Sequence, residues 1–196
     1  MSVILFIDGR NFLEKMEDVF EMKRVRIPVW SEYNFKGLLD SVLNGIHIQE
    51  RVFYFGRLRE HPETKEKSQK LIHAQRMLKT KLEYQGFQVL LRGAVRGNLR
   101  KDYRGNERLV FKEKGVDVSI AVDIAVAACA GKLKLAIIGS SDSDLQPAIK
   151  VLNDRSIESI YLGFEQMPNK GLTATTKRTI LIRNSEIIKF APASLI

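Results

Sequence analysis

Short apolar runs alternate along the chain with segments in which apolar residues recur about every 3.6 positions. The apolar runs have the length of β-strands, and they lie at residues 3–7, 51–57, 87–91, 134–140 and 159–164. The run at 3–7 (VILFI) has no polar interruption, which is typical of a central strand buried on both faces. Helical patterns occupy the intervals around 35–44 and at 63–84, 116–130 and 145–154.

This alternation predicts an α/β fold in which a mostly parallel central sheet is flanked by helices. The rhythm changes at 88–112, where two strand-like arms flank the turn KDYRGN (101–106), and this pattern predicts a twisted β-hairpin inserted in the fold. No Pro/Ser/Gly-rich linker divides the 196 residues, and their number suits one domain. We therefore expect residues 1–196 to form a single domain that includes the hairpin.

The chain is strongly basic, with a formal net charge of +9 and a pI of about 9.7. Such a charge indicates a polyanionic partner, with nucleic acid favoured over an anionic membrane surface. Residues 92–114 hold eight Lys or Arg against three Asp or Glu, so the excess is concentrated in the hairpin. The alternative interpretation of these basic residues is that they are the solvated surface of an ordinary hairpin. The residues predicted to contact the nucleic acid are Arg92, Arg96, Arg100, Lys101, Arg104, Lys112 and Lys114, with Tyr103 stacking on a base.

The N-terminal sequence MSVILFIDG has no basic stretch before its apolar run, and the run is too short for a signal peptide or a membrane span. We interpret it as the first strand of a cytoplasmic protein without a membrane partner. The single cysteine, Cys129, lies in an Ala/Val-rich run and is interpreted as a small core residue in a reducing compartment. The sequence leaves open a homodimer formed through an exposed sheet edge.

Aspartates stand beside strongly apolar segments at three places. Asp8 directly follows VILFI, Asp117 opens the apolar helical segment, and Asp142 and Asp144 follow the run LAIIG. Because neighbouring parallel strands end at the same edge of a sheet, we expect Asp8 and Asp142 to lie together, with Asp117 beside them. Clustered carboxylates repel one another, and a hard cation such as Mg²⁺ or Mn²⁺ relieves that repulsion by binding oxygen. These four aspartates are therefore the predicted metal ligands.

Each aspartate also has a purely structural interpretation. Asp8 could begin a turn, with Asn11 capping the helix that follows. Asp117 could favour the positive end of its helix dipole, and Asp144 could be the N-cap of the helix at 145–154. Asp123 lies six residues after Asp117, about 120° away around a helix, so both cannot point at one ion. We therefore predict that Asp123 forms hydrogen bonds outside the ligand set.

Three segments resemble, in the same order, the signature blocks of the NYN domain, a group that includes LabA-like proteins and belongs to the PIN-like nucleases. They are FIDGRN (6–11), KGVDVSIAVDIA (114–125) and AIIGSSDSDLQPAI (136–149). The resemblance implies a three-layer, Rossmann-like fold with an acidic ribonuclease site that depends on Mg²⁺ or Mn²⁺. The matching positions are Asp8, Asn11, Asp117, Asp123, Asp142 and Asp144. One position departs from the family pattern, because Ser141 stands where the family usually has glycine.

The residues and the resemblance together predict hydrolysis of RNA phosphodiester bonds by the aspartate cluster, and the resemblance implies products with 5′-phosphate ends. Asn11, Ser140 and Ser141 are expected to orient the ligands or to contact a phosphate oxygen. The alternative function is a non-catalytic RNA-binding or adaptor module that keeps the acidic cluster for structure. A phosphatase of the haloacid dehalogenase type is rejected as a leading option, because it needs a second aspartate two residues after Asp8, where Arg10 stands.

Overall fold

The computed structural model of the chain describes residues 1–60, 65–101 and 107–193. Within these ranges strands and helices alternate as the sequence predicts. The strands are β1 (Ser2–Asp8), β2 (Glu50–Arg57), β3 (Gln88–Lys101), β4 (Glu107–Lys114), β5 (Leu133–Gly139), β6 (Glu158–Phe164) and β7 (Arg178–Ile182). The helices are α1 (Gly9–Met22), α2 (Phe35–Val42), α3 (Lys65–Tyr84), α4 (Val116–Cys129), α5 (Gln146–Asp154), α6 (Lys170–Thr175) and α7 (Asn184–Lys189).

The strands form one sheet in the order β4-β3-β2-β1-β5-β6-β7. Every neighbouring pair is parallel except β3 and β4, which form the predicted antiparallel hairpin. The hairpin is continuous with the sheet, because β3 pairs with β2 up to Ala94 and with β4 from Ala94 onward. From β1 the chain builds β2 and β3 on one side and then β5, β6 and β7 on the other. The topological switch point therefore lies between β1 and β5.

Helices cover both faces of the sheet and give the predicted three-layer α/β arrangement. Side chains alternate along β1, so that Leu5 and Ile7 face one core while Ile4 and Phe6 face the other. The first core also takes residues from α1, α2, α3 and α7, and the second takes residues from α4, α5 and α6. Each fully buried aliphatic or aromatic side chain contributes about 1.5–3 kcal/mol to folding, so these two layers hold β1 firmly in the centre.

Aromatic packing fixes the first turns of α1 against the sheet. The ring of Phe12 meets the ring of Phe53 edge-on, with centroids 6.3 Å apart, and also packs at 5.0 Å from Phe164. Gly9, the first residue of α1, must lack a side chain, because a Cβ atom there would overlap the ring of Phe55. The start of α1 is thereby held close to the end of β2.

The helix α4 is apolar on both sides, although only one side packs on the sheet. Ile120, Ile124 and Ala128 are buried, whereas three valines at four-residue spacing are exposed: Val118, Val122 and Val126. Cys129 is also exposed, so its prediction as a core residue is wrong. A helix that is apolar all round gives no periodic signal for its buried face, and this is why the sequence misplaced the thiol. Within the described residues, no helix is both long and apolar enough to cross a membrane.

Candidate metal centre

The predicted aspartates gather at the carboxyl edge of the sheet, which we define as the edge where β1, β2, β5 and β6 end. β1 and β5 are parallel neighbours with Ile7 opposite Gly139, so the residues that follow both strands emerge side by side. Asp8 is the last residue of β1, Asp142 follows β5, and Asp117 lies in the first turn of α4. This is the topological switch point, where open α/β sheets bind their ligands.

Three of the four predicted ligands have carboxylate oxygens that lie within 4.8 Å of one another: Asp117, Asp142 and Asp144. Asp117 and Asp142 are half-buried, and Asp144 is exposed to solvent. Among the described residues, no histidine or cysteine joins this group. Carboxylate oxygens are the ligands that hard divalent cations such as Mg²⁺ and Mn²⁺ prefer, so this group could hold such a cation.

Asp8 lies beside this group but is not part of it, and its surroundings are different. It is only 6% exposed, and its Oδ1 accepts a hydrogen bond of 3.1 Å from the backbone N–H of Asn11. Burial raises the pKa of Asp8 to about 7, although the Asn11 N–H opposes the shift. The negative charges of Glu113, Asp142 and Asp117 contribute smaller parts of this rise. The Asp8 carboxylate is thus close enough to the cluster to interact with it electrostatically.

Helix capping at the site differs from the sequence prediction at two positions. Asp8, and not Asn11, is the N-cap of α1. Asp144 is not the N-cap of α5, because a short 3₁₀ helix, Ser143–Leu145, precedes that helix and moves the cap. Asp142 caps the 3₁₀ helix by accepting the Asp144 N–H at 2.9 Å. One carboxylate oxygen of Asp142 is therefore fixed by the backbone of its own loop.

Asn11 holds the loop after β5 instead of capping a helix. Its Oδ1 accepts the N–H of Ser141 at 2.8 Å, and in the same loop the Oγ of Ser140 accepts the N–H of Asp142 at 3.1 Å. Among the described residues other than glycine, a positive φ occurs only at Arg24 and Ser156. Ser141 therefore replaces the usual glycine of the family without backbone strain.

Asn169 and Tyr161 support the loop from the other side, and neither role was predicted from the sequence. The Nδ2 of Asn169 donates to the carbonyl of Ser141 at 2.9 Å, while its Oδ1 caps α6 by accepting the N–H of Leu172. The hydroxyl of Tyr161 accepts the N–H of Asn169 at 3.0 Å and lies 3.3 Å from the Ser141 Oγ. An asparagine placed just before a short helical pattern was the only available signal, and it indicates a cap and not a partner.

Glu113 is a further acidic residue near the cluster that the sequence analysis counted only as a charge. It lies near the end of β4, is half-buried, and accepts the N–H of Gly56 at 2.6 Å. Burial raises its pKa, an effect that the Gly56 N–H and the charge of Arg10 oppose. Its charge in turn raises the pKa of Asp8. Its place directly before the KGVD block was the signal that could have drawn attention to it.

Asp123 is half-buried and lies outside the aspartate cluster, as its position around the helix predicts. Its Oδ2 accepts the hydroxyl of Tyr54 at 3.0 Å. This contact joins the middle of α4 to β2, and burial of the phenol together with the Asp123 charge raises the pKa of Tyr54. Asp123 therefore anchors the helix that carries Asp117.

Of the predicted RNA-binding residues, Arg92 and Lys114 are exposed at the base of the hairpin. Tyr103 and Arg104 lie outside the described residues. Four others lie in β3 and β4, but their side chains are outside what the structure describes: Arg96, Arg100, Lys101 and Lys112. The role of these eight residues stays a prediction.

Comparison with known proteins identifies the family. A family model described as the NYN domain matches residues 2–183, nearly the whole chain. The fold is similar to the crystal structure of a protein of unknown function, VPA0982, from Vibrio parahaemolyticus RIMD 2210633, at 15% identity and a TM-score of 0.57 over 92% of this chain and 91% of that one. None of the curated proteins compared with the chain matches it. The match to the family model confirms the resemblance of the three sequence blocks, and the chain belongs to the NYN domain family of the PIN-like superfamily.

Proposed function

We propose that this protein is a ribonuclease that hydrolyses RNA phosphodiester bonds and depends on Mg²⁺ or Mn²⁺. The observation that carries the proposal is the convergence of Asp117, Asp142 and Asp144, beside the buried Asp8, at the switch point of an NYN-family fold. The net charge of +9 supports a polyanionic substrate. The family is generally one of nucleases, so the reaction class and the acidic cluster point to the same activity.

Asp117, Asp142 and Asp144 would hold the cation, and Asp8 would add a carboxylate from the side of β1. When bound, the cation would supply a water of lowered pKa and stabilise negative charge on the phosphate. Asp8 is about half protonated at neutral pH, because its pKa is raised to about 7. Protonation of Asp8 reduces the repulsion among the carboxylates, so a cation and that proton compete for the same site.

The residues around the ligands keep the carboxylates in place. Asn11 and Ser140 hold the backbone of the loop that carries Asp142. The hydrogen bond between Tyr54 and Asp123 fixes α4, whose first turn carries Asp117. By restricting the loop and the helix, these contacts reduce the conformational cost of binding a cation.

Cleavage of single-stranded RNA by the wild type and by Asp142→Asn tests the proposal. The variant keeps the side-chain oxygen that accepts the Asp144 N–H, but it loses a negative charge from the cluster. We expect Mn²⁺-dependent cleavage with 5′-phosphate products for the wild type, and a loss of about 100-fold or more in the variant. Asp154→Asn, at the exposed end of α5, is the matched control and keeps the wild-type rate. Equal cleavage by all three proteins would overturn the proposal.

The alternative is a non-catalytic RNA-binding or adaptor module, and the serine at position 141 is one of the observations that favoured it. Since Ser141 has an ordinary φ and donates its N–H to Asn11, the loop geometry gives this alternative no further support. RNA binding by the wild type without cleavage in Mg²⁺ or Mn²⁺ would favour it over the ribonuclease.

A further inference from the structure

The first half of α3 extends beyond the carboxyl edge of the sheet. Gln75, midway along α3, donates to the carbonyl of Gly56 at 2.8 Å, and Gly56 is the second-last residue of β2. Because β2 and β3 are parallel, the intervening helix runs back along the sheet, and Leu78 and Leu82 pack into the core below Gln75. Residues 65–74 therefore lie beyond the contact with Gly56, and these ten residues span about 15 Å at the helical rise of 1.5 Å per residue. We refer to residues 65–74 as the α3 overhang.

The start of the overhang is held to the chain that leaves β2. Lys65 Nζ lies 3.8 Å from a carboxylate oxygen of Glu60, and Gln69 donates to the same carboxylate at 3.3 Å. Within the overhang only Ser68 is buried. Ile72 is half-buried and the other eight residues are exposed, so the types of these eight residues are set by solubility or by a partner.

The exposed cations at or beside the overhang include Arg57, Arg59 and Lys70. We refer to these three as the overhang cations. Alternation along β2 places Arg57 on the sheet face of Phe53 and Phe55, which is the face that α3 covers. In the part of the chain that the structure describes, none of the three has an ion-pair partner. Their charge is therefore available to an outside anion.

The overhang and the hairpin project from the same edge and leave it beside the acidic cluster. β3 and β4 continue as a pair from Ala94 to Lys101 after β3 has left β2, which is a projection of about 23 Å at 3.3 Å per residue. Gly56 joins the two projections, because its carbonyl binds Gln75 of α3 and its N–H binds Glu113 of β4. The register of β1 and β2 places Asp8 opposite Tyr54, only two residues before Gly56.

We propose that the α3 overhang and the overhang cations form a second RNA-binding wall. The basic hairpin forms the first wall, and a bound RNA strand would contact both. RNA would cross the end of β2 between the two projections before it reaches the acidic cluster. The inference rests on the proposed ribonuclease function and specifies its substrate as RNA that extends well beyond the scissile phosphate on the side of β2. Lysine and arginine would contact phosphates, so this part of the binding does not depend on sequence.

The salt dependence of RNA binding tests the wall. The triple variant Arg57→Gln/Arg59→Gln/Lys70→Gln is compared with the control triple Lys132→Gln/Lys134→Gln/Arg155→Gln, whose exposed cations lie at the opposite, amino edge of the sheet. Both are made in the Asp142→Asn background so that RNA is not cut. Binding of a labelled, unstructured RNA of about 20 nucleotides is measured by fluorescence anisotropy between about 50 and 300 mM KCl.

We expect the overhang triple to bind RNA more weakly than the parent protein. Each phosphate contact with a single strand contributes about 0.7 to the steepness of log K against log salt, so the loss of all three contacts should make the slope less steep by about 2. The control triple should keep the slope of the parent protein. An unchanged slope in the overhang triple, or an equal decrease in steepness in both triples, would contradict the proposed binding wall. Neither outcome would affect the cleavage result for Asp142→Asn. Failure of wild-type protein to cleave RNA would instead overturn the ribonuclease, so the two failures are distinguishable. Matching thermal unfolding curves of the triples exclude misfolding as the cause.

Discussion

Replacement of the buried Asp8 by asparagine tests whether the site destabilises the fold when no cation balances its carboxylates. Asparagine is as good an N-cap as aspartate, so the variant keeps the hydrogen bond to the Asn11 N–H and the start of α1. The substitution removes only the negative charge. Any change in the free energy of unfolding therefore reports the cost of holding an ionised carboxylate in this place.

The magnitude follows from the pKa of Asp8, which moves from 3.8 to about 7 on folding. A raised pKa means that the folded state binds the proton more tightly than the unfolded state. The contribution of the Asp8 proton to the free energy of unfolding is therefore complete below pH 3.8, and it is lost as the pH rises through about 7. The full difference is about 4 kcal/mol, and most of it develops between pH 5 and pH 8.

We expect Asp8→Asn to be more stable than the wild type by about 4 kcal/mol at pH 8 and by about 1–2 kcal/mol at pH 5, both in EDTA. Urea unfolding followed by the fluorescence of Trp30, which packs against Phe20 and Tyr33, measures the difference. Asp154→Asn is the control, because it removes an exposed carboxylate at the end of α5 and should change stability by a few tenths of a kcal/mol. A gain that does not depend on pH, or no gain at pH 8, would refute the reasoning.

Two further predictions concern residues that the sequence analysis did not identify. Asn169→Ala removes both the α6 cap and the hydrogen bond to the Ser141 carbonyl, so urea unfolding should show a free energy of unfolding lower by about 1–2 kcal/mol. Asn169→Ser can still cap α6 and should recover part of that loss. Equal losses in the two variants would contradict the assigned cap. Gly56→Ala places a Cβ atom against the Glu113 side chain, whose Cγ would be only 2.7 Å away, and should cost about 1–3 kcal/mol. Adding Glu113→Ala should remove most of the Gly56→Ala penalty, and a penalty that persists in the double variant would show that the clash is not its cause.

The sequence predicted those features that depend on the order of strands and on where strands end. Asp8 and Asp142 each follow a buried apolar strand, and once both strands are parallel neighbours their ends must meet at one edge. The same reasoning placed Asp117 beside them, because the helix that carries Asp117 packs on these strands. The hairpin was predictable from its Gly- and Asp-rich turn.

Features that depend on contacts between distant segments were not predictable from the sequence. Glu113 reaches Gly56 only because β3 and β4 pair in one particular register. Asn169 lies 28 residues after Ser141, and nothing local to either residue indicates that they meet. The cap at Asp142 depends on a 3₁₀ turn whose sequence, Ser143–Leu145, also suits the start of an α-helix.

The central claim is that the carboxyl edge is a metal centre. Anomalous diffraction from a crystal soaked in Mn²⁺ tests this claim most directly. The anomalous signal of manganese locates the ion independently of any assay of activity. We predict a peak within coordination distance of carboxylate oxygens of Asp117, Asp142 and Asp144, which lie within 4.8 Å of one another, and no such peak in crystals of Asp142→Asn. A wild-type crystal without an ion at these residues, at Mn²⁺ concentrations that saturate binding in solution, would contradict the account.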